Sequence, residues 1–148
     1  SFLPKLWEEA IHVPLMISVP GQEGGKTCDQ FVELVDLYPT LAELAGLPPE
    51  SGCQGLSLTS LLEDPASERI EKPDALIHVS KGYGLRTGKW AFMHYPPKKQ
   101  DPEAFMLYNM EKDPKQFTNL ARHPEYAGKV KELRARLRER LEAAAETP

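Results

Sequence analysis

The stretch Val13-Pro14-Leu15-Met16-Ile17-Ser18-Val19 is a short, nearly unbroken apolar run close to the start of the chain. A strand with one face in solvent alternates apolar and polar residues, whereas a strand covered on both faces is apolar throughout. The run therefore predicts an inner strand of a parallel sheet, followed by a glycine-rich loop at residues 20–25. The rest of the chain does not supply the alternating strands and helices of such a sheet, so we expect its partner strands to come from an upstream region.

A helix is predicted to begin near Asp36, which we interpret as its cap. Pro39 fits the first turn of that helix and Gly46 ends it. Its apolar residues recur at helical spacing and are Leu37, Leu41 and Leu44. A short helical turn is predicted within residues 56–62, before the Asp-Pro pair at 64–65 breaks it.

The second half of the chain is typical of an α+β unit, with strands followed by one long helix. Strands are predicted at residues 75–79, once or twice within 83–95, and at 105–108. The final helix is predicted from about residue 125 to 145. Its apolar stripe, which we expect to cover one face of the sheet, consists of Tyr126, Val130, Leu133, Leu137 and Leu141.

These patterns predict a division of the chain into two parts. Residues 1–66 are interpreted as the C-terminal piece of a large α/β domain, contributing one strand and one helix to it. Residues 67–148 are interpreted as a small subdomain with an antiparallel sheet and a long C-terminal helix.

Charge and composition exclude several classes of function. The 148 residues include 18 basic and 22 acidic side chains, a formal charge of −4, which gives no general attraction to nucleic acid or to an anionic membrane. A polyanionic partner would need a local basic patch. No apolar run is long enough to cross a membrane, and the first ten residues do not resemble a signal peptide.

Cys28 and Cys53 can form at most one disulfide, and two free buried thiols are an equal alternative.

Three segments, in the same order, resemble the C-terminal third of the sulfatase family. The first is Leu6-Trp7-Glu8-Glu9-Ala10-Ile11-His12-Val13-Pro14-Leu15 followed by Val19-Pro20-Gly21. The second is Val32-Glu33-Leu34-Val35-Asp36-Leu37-Tyr38-Pro39-Thr40-Leu41, with Leu44-Ala45-Gly46-Leu47 and Gly55-Leu56-Ser57-Leu58 after it. The third is Gly84-Leu85-Arg86-Thr87-Gly88-Lys89-Trp90, then residues 107–120. Together they cover nearly the whole chain, and their pattern is similar to carbohydrate sulfatases of the iduronate-2-sulfatase-like kind.

The resemblance implies an alkaline-phosphatase-like fold and the hydrolysis of sulfate esters, with a sulfated saccharide as substrate. Family members use a formylglycine, made from a Cys or Ser in a Cys/Ser-x-Pro/Ala-x-Arg motif, and a calcium ion held by oxygen ligands. Neither Cys28 nor Cys53 is followed by the Pro and Arg of that motif. We therefore expect the upstream sulfatase domain to supply the nucleophile and the calcium ligands, and this chain alone to be inactive. The family implies a periplasmic, extracellular or lysosomal-type location, which the sequence itself leaves open.

The resemblance also suggests candidate contacts to the substrate. Many relatives carry a sulfate-binding lysine at the position of Leu3, and Lys5 is the nearest lysine here. Arg86 suits an oxyanion because its planar guanidinium donates two parallel hydrogen bonds, although an ion pair with a carboxylate is the alternative. The remaining candidates are His12, Lys81 and Tyr83, and no residue of this chain is assigned to a metal.

The other charged and histidine residues are given structural roles. Glu125 and Glu132 each precede a basic residue by four positions, so surface ion pairs with Lys129 and Arg136 are expected on an exposed helix face. Two histidines, His94 and His123, are expected at the surface because neither has a partner at metal-ligand spacing, and the spacing of Asp74 and His78 along one strand is too long for a shared metal.

Two other functions remain open at this point. The same fold supports phosphoesterases and phosphonate hydrolases, so the nucleophile motif upstream has to decide between them and a sulfatase. A stand-alone interaction module is the third alternative, and an apolar strand at residues 13–19 argues against it because an unpaired apolar strand edge favours aggregation.

Overall fold

The computed structural model describes residues 6–48, 50–67, 72–99 and 102–146. These residues form two compact units, each with its own internal contacts. The sheet unit comprises residues 6–13 and 74–143, and the loop-and-helix unit comprises residues 14–73 and 144–146. None of the helices in the described part of the chain is both long enough and apolar enough to span a membrane.

An antiparallel meander forms the centre of the sheet unit, with its strands in chain order. The strands are β1 (Asp74–Val79), β2 (Gly82–Thr87), β3 (Trp90–Tyr95) and β4 (Ala104–Asn109). Two-residue connections join β1 to β2 and β2 to β3, which is why these neighbours pair directly. The predicted strands are confirmed, and the region 83–95 contains two of them.

The long C-terminal helix covers one face of this sheet. Helix α4 (Ala127–Glu146) follows a 3₁₀ turn at Pro124–Tyr126. Leu133 and Leu137 are buried against Leu85, Phe92 and Leu107 of the sheet, and the other three residues of the predicted stripe pack around them. The predicted apolar stripe and its contact with the sheet are therefore confirmed.

The opposite face of the sheet is covered in part by the start of the chain. Helix α1 (Glu8–Ile11) is a single turn, and Leu6 just before it is only 1% exposed. Leu6 packs with Ala91, Met93 and Tyr108, and Trp7 lies against the same group. Residues 6–13, which the sequence assigned to a large domain, thus pack with the second half of the chain here. The boundary at residue 66 in the parent protein stays a prediction.

The loop-and-helix unit contains helix α2 (Leu37–Leu44) and helix α3 (Thr59–Glu63). Gly46 follows α2 with φ +68°, a left-handed conformation that glycine adopts without strain, so the predicted helix end is confirmed. Asp36 occupies the predicted N-cap position of α2, but its side chain makes no capping hydrogen bond to that helix. Its carboxylate instead accepts the Glu33 amide and closes a capping box around the 3₁₀ turn Leu34–Asp36.

The apolar run at residues 13–19 is not a strand in this structure, so the prediction of a strand within this chain is wrong. The segment has no regular secondary structure, and Val13 and Met16 are 60% and 91% exposed. A strand exists only through hydrogen bonds to a neighbour, and all four strands of the described part pair with one another.

Candidate functional site

The candidate site on the sheet unit is built around Glu8, a residue that the sequence reasoning missed. Arg86 on β2 donates from Nε to Glu8 Oε2 at 2.7 Å and from Nη2 to Glu8 Oε1 at 3.3 Å. Both side chains are mostly buried, at 14% and 20% exposure. The planar guanidinium thus meets the carboxylate with two parallel bonds, the geometry in which arginine pairs most strongly. The ion pair named as the alternative for Arg86 is therefore present.

The backbone of Glu8 is held as well. Its amide donates to Gln116 Oε1 at 2.8 Å, across 108 positions of sequence. Gln116 is 6% exposed and has φ 58°, a left-handed conformation that is uncommon outside glycine. Because Glu8 is bound through both its backbone and its side chain, the first turn of α1 is fixed against the sheet.

His12, the residue that follows α1, also approaches Glu8. Its Nδ1 lies 3.4 Å from Glu8 Oε1, while the imidazole remains 76% exposed. One carboxylate therefore connects two of the predicted site residues, His12 and Arg86. A signal for this arrangement was present in the sequence, since Glu8 precedes His12 by four positions on a helix-tolerant segment.

The other predicted residues do not join this group. Arg86 and Tyr83 lie on opposite faces of the sheet because side chains alternate along a strand. Tyr83 stacks on His78 with ring centroids 4.8 Å apart, beside the core that α4 covers. Lys81 is exposed in the β1–β2 turn. Lys81, Tyr83 and Arg86 thus do not lie together at one site, and Lys5 lies outside the described residues.

His94 is not the surface group that the sequence suggested. Its ring is 18% exposed and stacks on Phe105 at 4.8 Å, and Nε2 lies 2.9 Å from Glu103 Oε1. Arg134 of α4 also contacts Glu103 and lies over the Phe105 ring. These contacts join β3 and β4 to helix α4.

The ion pairs on α4 differ from those expected. Arg136 and Arg140 both contact the carboxylate of Asp74, which is 1% exposed at the start of β1. Lys129 pairs with Glu132, three positions away, and not with Glu125. These arginines attach the helix to the sheet, so the expected Glu132–Arg136 and Glu125–Lys129 pairs are wrong.

The loop-and-helix unit contains a buried group of charges. Lys72 Nζ donates to Asp36 Oδ1 at 2.6 Å and contacts Glu33 Oε2. One buried and one mostly buried carboxylate therefore share a single ammonium group. Within residues 6–48, 50–67, 72–99 and 102–146, no group of three or more His, Cys, Asp or Glu side chains could hold a metal ion. The calcium site that the family implies does not fit the side chains described.

The two cysteines are free. Cys28 is exposed, Cys53 is half-buried, and they form no disulfide with each other. The thiols are free, as one of the two alternatives predicted, but the expectation that they are buried is wrong.

Comparison with known proteins identifies the class to which this fold belongs. The family described as N-sulphoglucosamine sulphohydrolase, C-terminal, matches residues 4–144. Arylsulfatase K of Mus musculus is 29% identical over 128 residues, which are 78% of this chain and 23% of that protein. The N-acetylglucosamine-6-O-sulfatase of Bacteroides thetaiotaomicron is 30% identical over 145 residues, 90% of this chain and 25% of that protein.

A solved structure agrees with these matches. BT4656, in complex with its substrate D-glucosamine-2-N,6-O-disulfate, aligns with a TM-score of 0.67 at 28% identity, over 75% of this chain and 24% of that chain. The fold is thus that of the C-terminal part of the alkaline-phosphatase-like sulfatases. This chain belongs to the N-sulphoglucosamine sulphohydrolase C-terminal family. It spans about a quarter of the length of the curated relatives it matches.

Proposed function

We propose that this chain is the C-terminal region of an enzyme that hydrolyses a sulfate ester of a carbohydrate. The observation that carries the proposal is the match of residues 4–144 to a family of sulfatase C-terminal regions. The named relatives act on sulfated groups, and N-acetylglucosamine-6-O-sulfatase names a sugar as well. A sulfated saccharide is accordingly the proposed substrate.

The reactive groups are proposed to come from the upstream sulfatase domain. A formylglycine would supply the nucleophile there, and calcium would neutralise sulfate charge. Among the described residues, the carboxylates of Glu33 and Asp36 already share the Lys72 ammonium.

Arg86 and His12 are proposed as substrate contacts, and the Glu8 carboxylate contacts both side chains. The guanidinium of Arg86 also donates from Nη1 to the carbonyl oxygens of Thr87 and Gly88, so a sulfate group would share its donors with these partners. Lys5, Lys81 and Tyr83 are retained as weaker proposals. A location outside the cytoplasm is proposed from the family.

Kinetics of the full-length parent protein test these roles. Arg86→Lys keeps the positive charge but loses the paired geometry, so we expect a higher KM for a sulfated glucosamine. Glu8→Gln is the companion variant, because it removes the carboxylate that orients Arg86 and leaves the guanidinium in place. Lys89→Ala, in an exposed pair with Glu111, is the control. A fall in Tm with unchanged KM for both site variants would assign the pair to structure alone.

A phosphoesterase or phosphonate hydrolase remains the alternative within the same fold. The upstream nucleophile decides between them, since a Cys/Ser-x-Pro/Ala-x-Arg motif defines a sulfatase and a plain Thr or Ser defines a phosphatase. Parallel assays of the parent protein with a sulfated glucosamine and a phosphonate monoester also distinguish a sulfatase from a phosphonate hydrolase. Turnover of the phosphonate alone would overturn the sulfatase proposal.

A further inference from the structure

Phe117 is the one large apolar side chain that the second half of the chain leaves in solvent. It is 82% exposed, whereas every other Leu, Ile, Val, Met, Phe, Tyr or Trp side chain in the described residues 74–99 and 102–143 is half-buried or buried. A single exposed apolar residue is common on protein surfaces, so the exposure alone indicates nothing. The construction of the turn that carries Phe117, residues 113–118, is what gives the exposure a meaning.

The Phe117 turn is fixed from within by one carboxylate. Asp113 Oδ1 accepts the Phe117 amide at 3.1 Å, and Asp113 Oδ2 accepts the Thr118 amide at 2.8 Å. The Asp113 carbonyl oxygen also accepts the Gln116 amide at 3.0 Å. The backbone on both sides of Phe117 is therefore held, and the two torsions of its side chain are the main freedom left to the ring.

The turn is also attached to the sheet unit at both ends. Asn119 Oδ1 accepts the Leu107 amide at 3.0 Å, and Asn119 Nδ2 donates to the Phe105 carbonyl at 3.3 Å. Gln116, which is 6% exposed, accepts the Glu8 amide and has a φ of 58°. A residue other than glycine keeps such a conformation only where its surroundings enforce it. The turn is thus built to hold an exposed ring in a defined place.

That place is beside the proposed substrate contacts. The Gln116 side chain touches Glu8, and the Cα of Phe117 is one peptide unit, about 3.8 Å, from that of Gln116. Glu8 in turn contacts His12, whose imidazole is 76% exposed. Lys115, two residues before Phe117, is exposed as well. An accessible ring and accessible basic side chains therefore share one neighbourhood.

This combination suits a sulfated sugar. The face of a phenyl ring is electron-rich and attracts the weakly positive C–H groups on the apolar face of a pyranose ring. Lysine supplies a compact positive charge for a sulfate oxyanion. A ring whose backbone is already fixed loses little freedom on binding, so more of the contact energy contributes to affinity.

We propose that Phe117 is a specificity-determining residue whose ring stacks on the sugar ring of the substrate, with Lys115 beside it for a sulfate group. The inference rests on the proposed function, because it takes the substrate to be a sulfated saccharide. Stacking contributes to substrate binding and not to the reaction, so it affects KM and leaves kcat unchanged. An apolar contact with protein would need only bulk at this position, whereas stacking needs a ring.

Kinetics of the full-length parent with D-glucosamine-2-N,6-O-disulfate, the substrate of BT4656, test the stacking. Phe117→Ala removes the ring, and we expect KM to rise about tenfold with kcat unchanged. Phe117→Leu keeps apolar bulk without a ring and should match Phe117→Ala, whereas Phe117→Trp should restore KM. Thr118→Ala is the matched control, since it lies exposed in the same turn and keeps its backbone amide, and it should change neither constant.

Three results would overturn the proposal. An unchanged KM in Phe117→Ala would show that the ring does not meet the substrate. Full recovery of KM in Phe117→Leu would show that bulk suffices. A lower Tm together with a lower kcat in Phe117→Ala, measured by thermal unfolding beside the kinetics, would assign the residue to structure.

Failure of the stacking and failure of the proposed function give different results. Turnover of the disulfate with no effect of Phe117→Ala retains the function and rejects the stacking. If the parent hydrolyses no sulfate ester, the proposed function is rejected, and isothermal titration calorimetry with D-glucosamine tests the ring without turnover. Weaker binding to Phe117→Ala than to the unsubstituted parent then supports the stacking, and equal binding, or binding to neither, overturns it.

Discussion

At the scale of single residues, Gly55 occupies a position that leaves no room for a side chain. A Cβ atom at Gly55 would overlap the Val35 carbonyl oxygen and lie 2.9 Å from the Asp36 amide nitrogen. Backbone atoms of a hydrogen-bonded turn cannot move aside as the end of a flexible side chain can. The close approach is needed because the neighbouring Leu56 amide binds Asp36.

Gly55→Ala is expected to destabilise the loop-and-helix unit by about 1–3 kcal/mol or more, as overpacking of a tight contact does. Gly24→Ala is the matched control, since a Cβ there meets nothing within 4 Å and its unit is the same. Urea unfolding followed by circular dichroism measures both. Equal midpoints for the two variants would show that the contact relaxes freely.

Asp74 is the second residue on which local stability depends. Its carboxylate is buried and contacts two arginines of α4, so its removal leaves two positive charges beside the sheet. The cost of breaking a fully buried pair is about 3–5 kcal/mol. Arg136 is 38% exposed, and solvent screening reduces the effect here.

We therefore expect Asp74→Asn to lower the free energy of unfolding by about 2–3 kcal/mol. Glu142→Gln removes the partner of Arg138, in a pair with both side chains more than half exposed, and should change stability by less than about 0.5 kcal/mol. Urea unfolding of the two variants gives the comparison. A loss no larger for Asp74→Asn than for Glu142→Gln would contradict the structural role of Asp74.

At the scale of elements, β3 and β4 place two tyrosines on the face that Leu6 covers. Burial raises the pKa of Tyr95 above the ordinary tyrosine value of 10.0, although a hydrogen bond with the backbone of Leu6 opposes this shift. Burial also raises the pKa of Tyr108, and the charges of Tyr95 and Asp113 add to that effect. Both phenols are thus harder to ionise in the folded chain than in the unfolded one.

This difference predicts an alkaline loss of stability. Since both folded pKa values lie above 10.0, the contribution is fully present below that pH and is lost as the pH rises through the folded pKa values. Unfolding measured across this range should show a downward slope that the Tyr95→Phe and Tyr108→Phe double variant reduces. An unchanged slope in the double variant would assign the alkaline loss to other groups.

At the scale of the whole molecule, the run at residues 13–19 exposes apolar side chains, among them Val13, Leu15 and Met16, and Tyr38, Leu41 and Leu44 of α2 are exposed as well. The run has the composition of a strand buried on both faces but no neighbour to pair with among the described strands. The proposed upstream domain would supply that neighbour. The strand prediction then belongs to the parent protein and not to this chain by itself.

Hydrogen exchange of the full-length parent tests this expectation. The amides of Leu15 and Ile17 should exchange slowly, as those of a paired strand do, because each donates to a neighbouring strand. The loop at residues 21–25 provides the comparison within the same protein. Exchange of both segments at the same fast rate would show that residues 13–19 stay unpaired in the parent.

Local and periodic features were predictable from the sequence. The meander, the end of α2 at Gly46 and the Leu133–Leu137 stripe each depend on residues within a few turns or one strand length of each other. Patterns at this range can be recognised from the order of apolar and polar residues alone. The family resemblance, carried by three ordered segments, was confirmed for the same reason.

Contacts between distant residues required the tertiary structure. Glu8 meets Arg86 and Gln116 across 78 and 108 positions, and Asp74 meets α4 across 66. The partner of each charged residue depends on the register of the strands and on the orientation of α4 on the sheet. Many different ion pairs are compatible with one sequence. For α2 the sequence determined that a helix forms, and the fold decided that its polar side faces inward, because hydrogen bonds to the Leu56 and Leu58 amides bind that side.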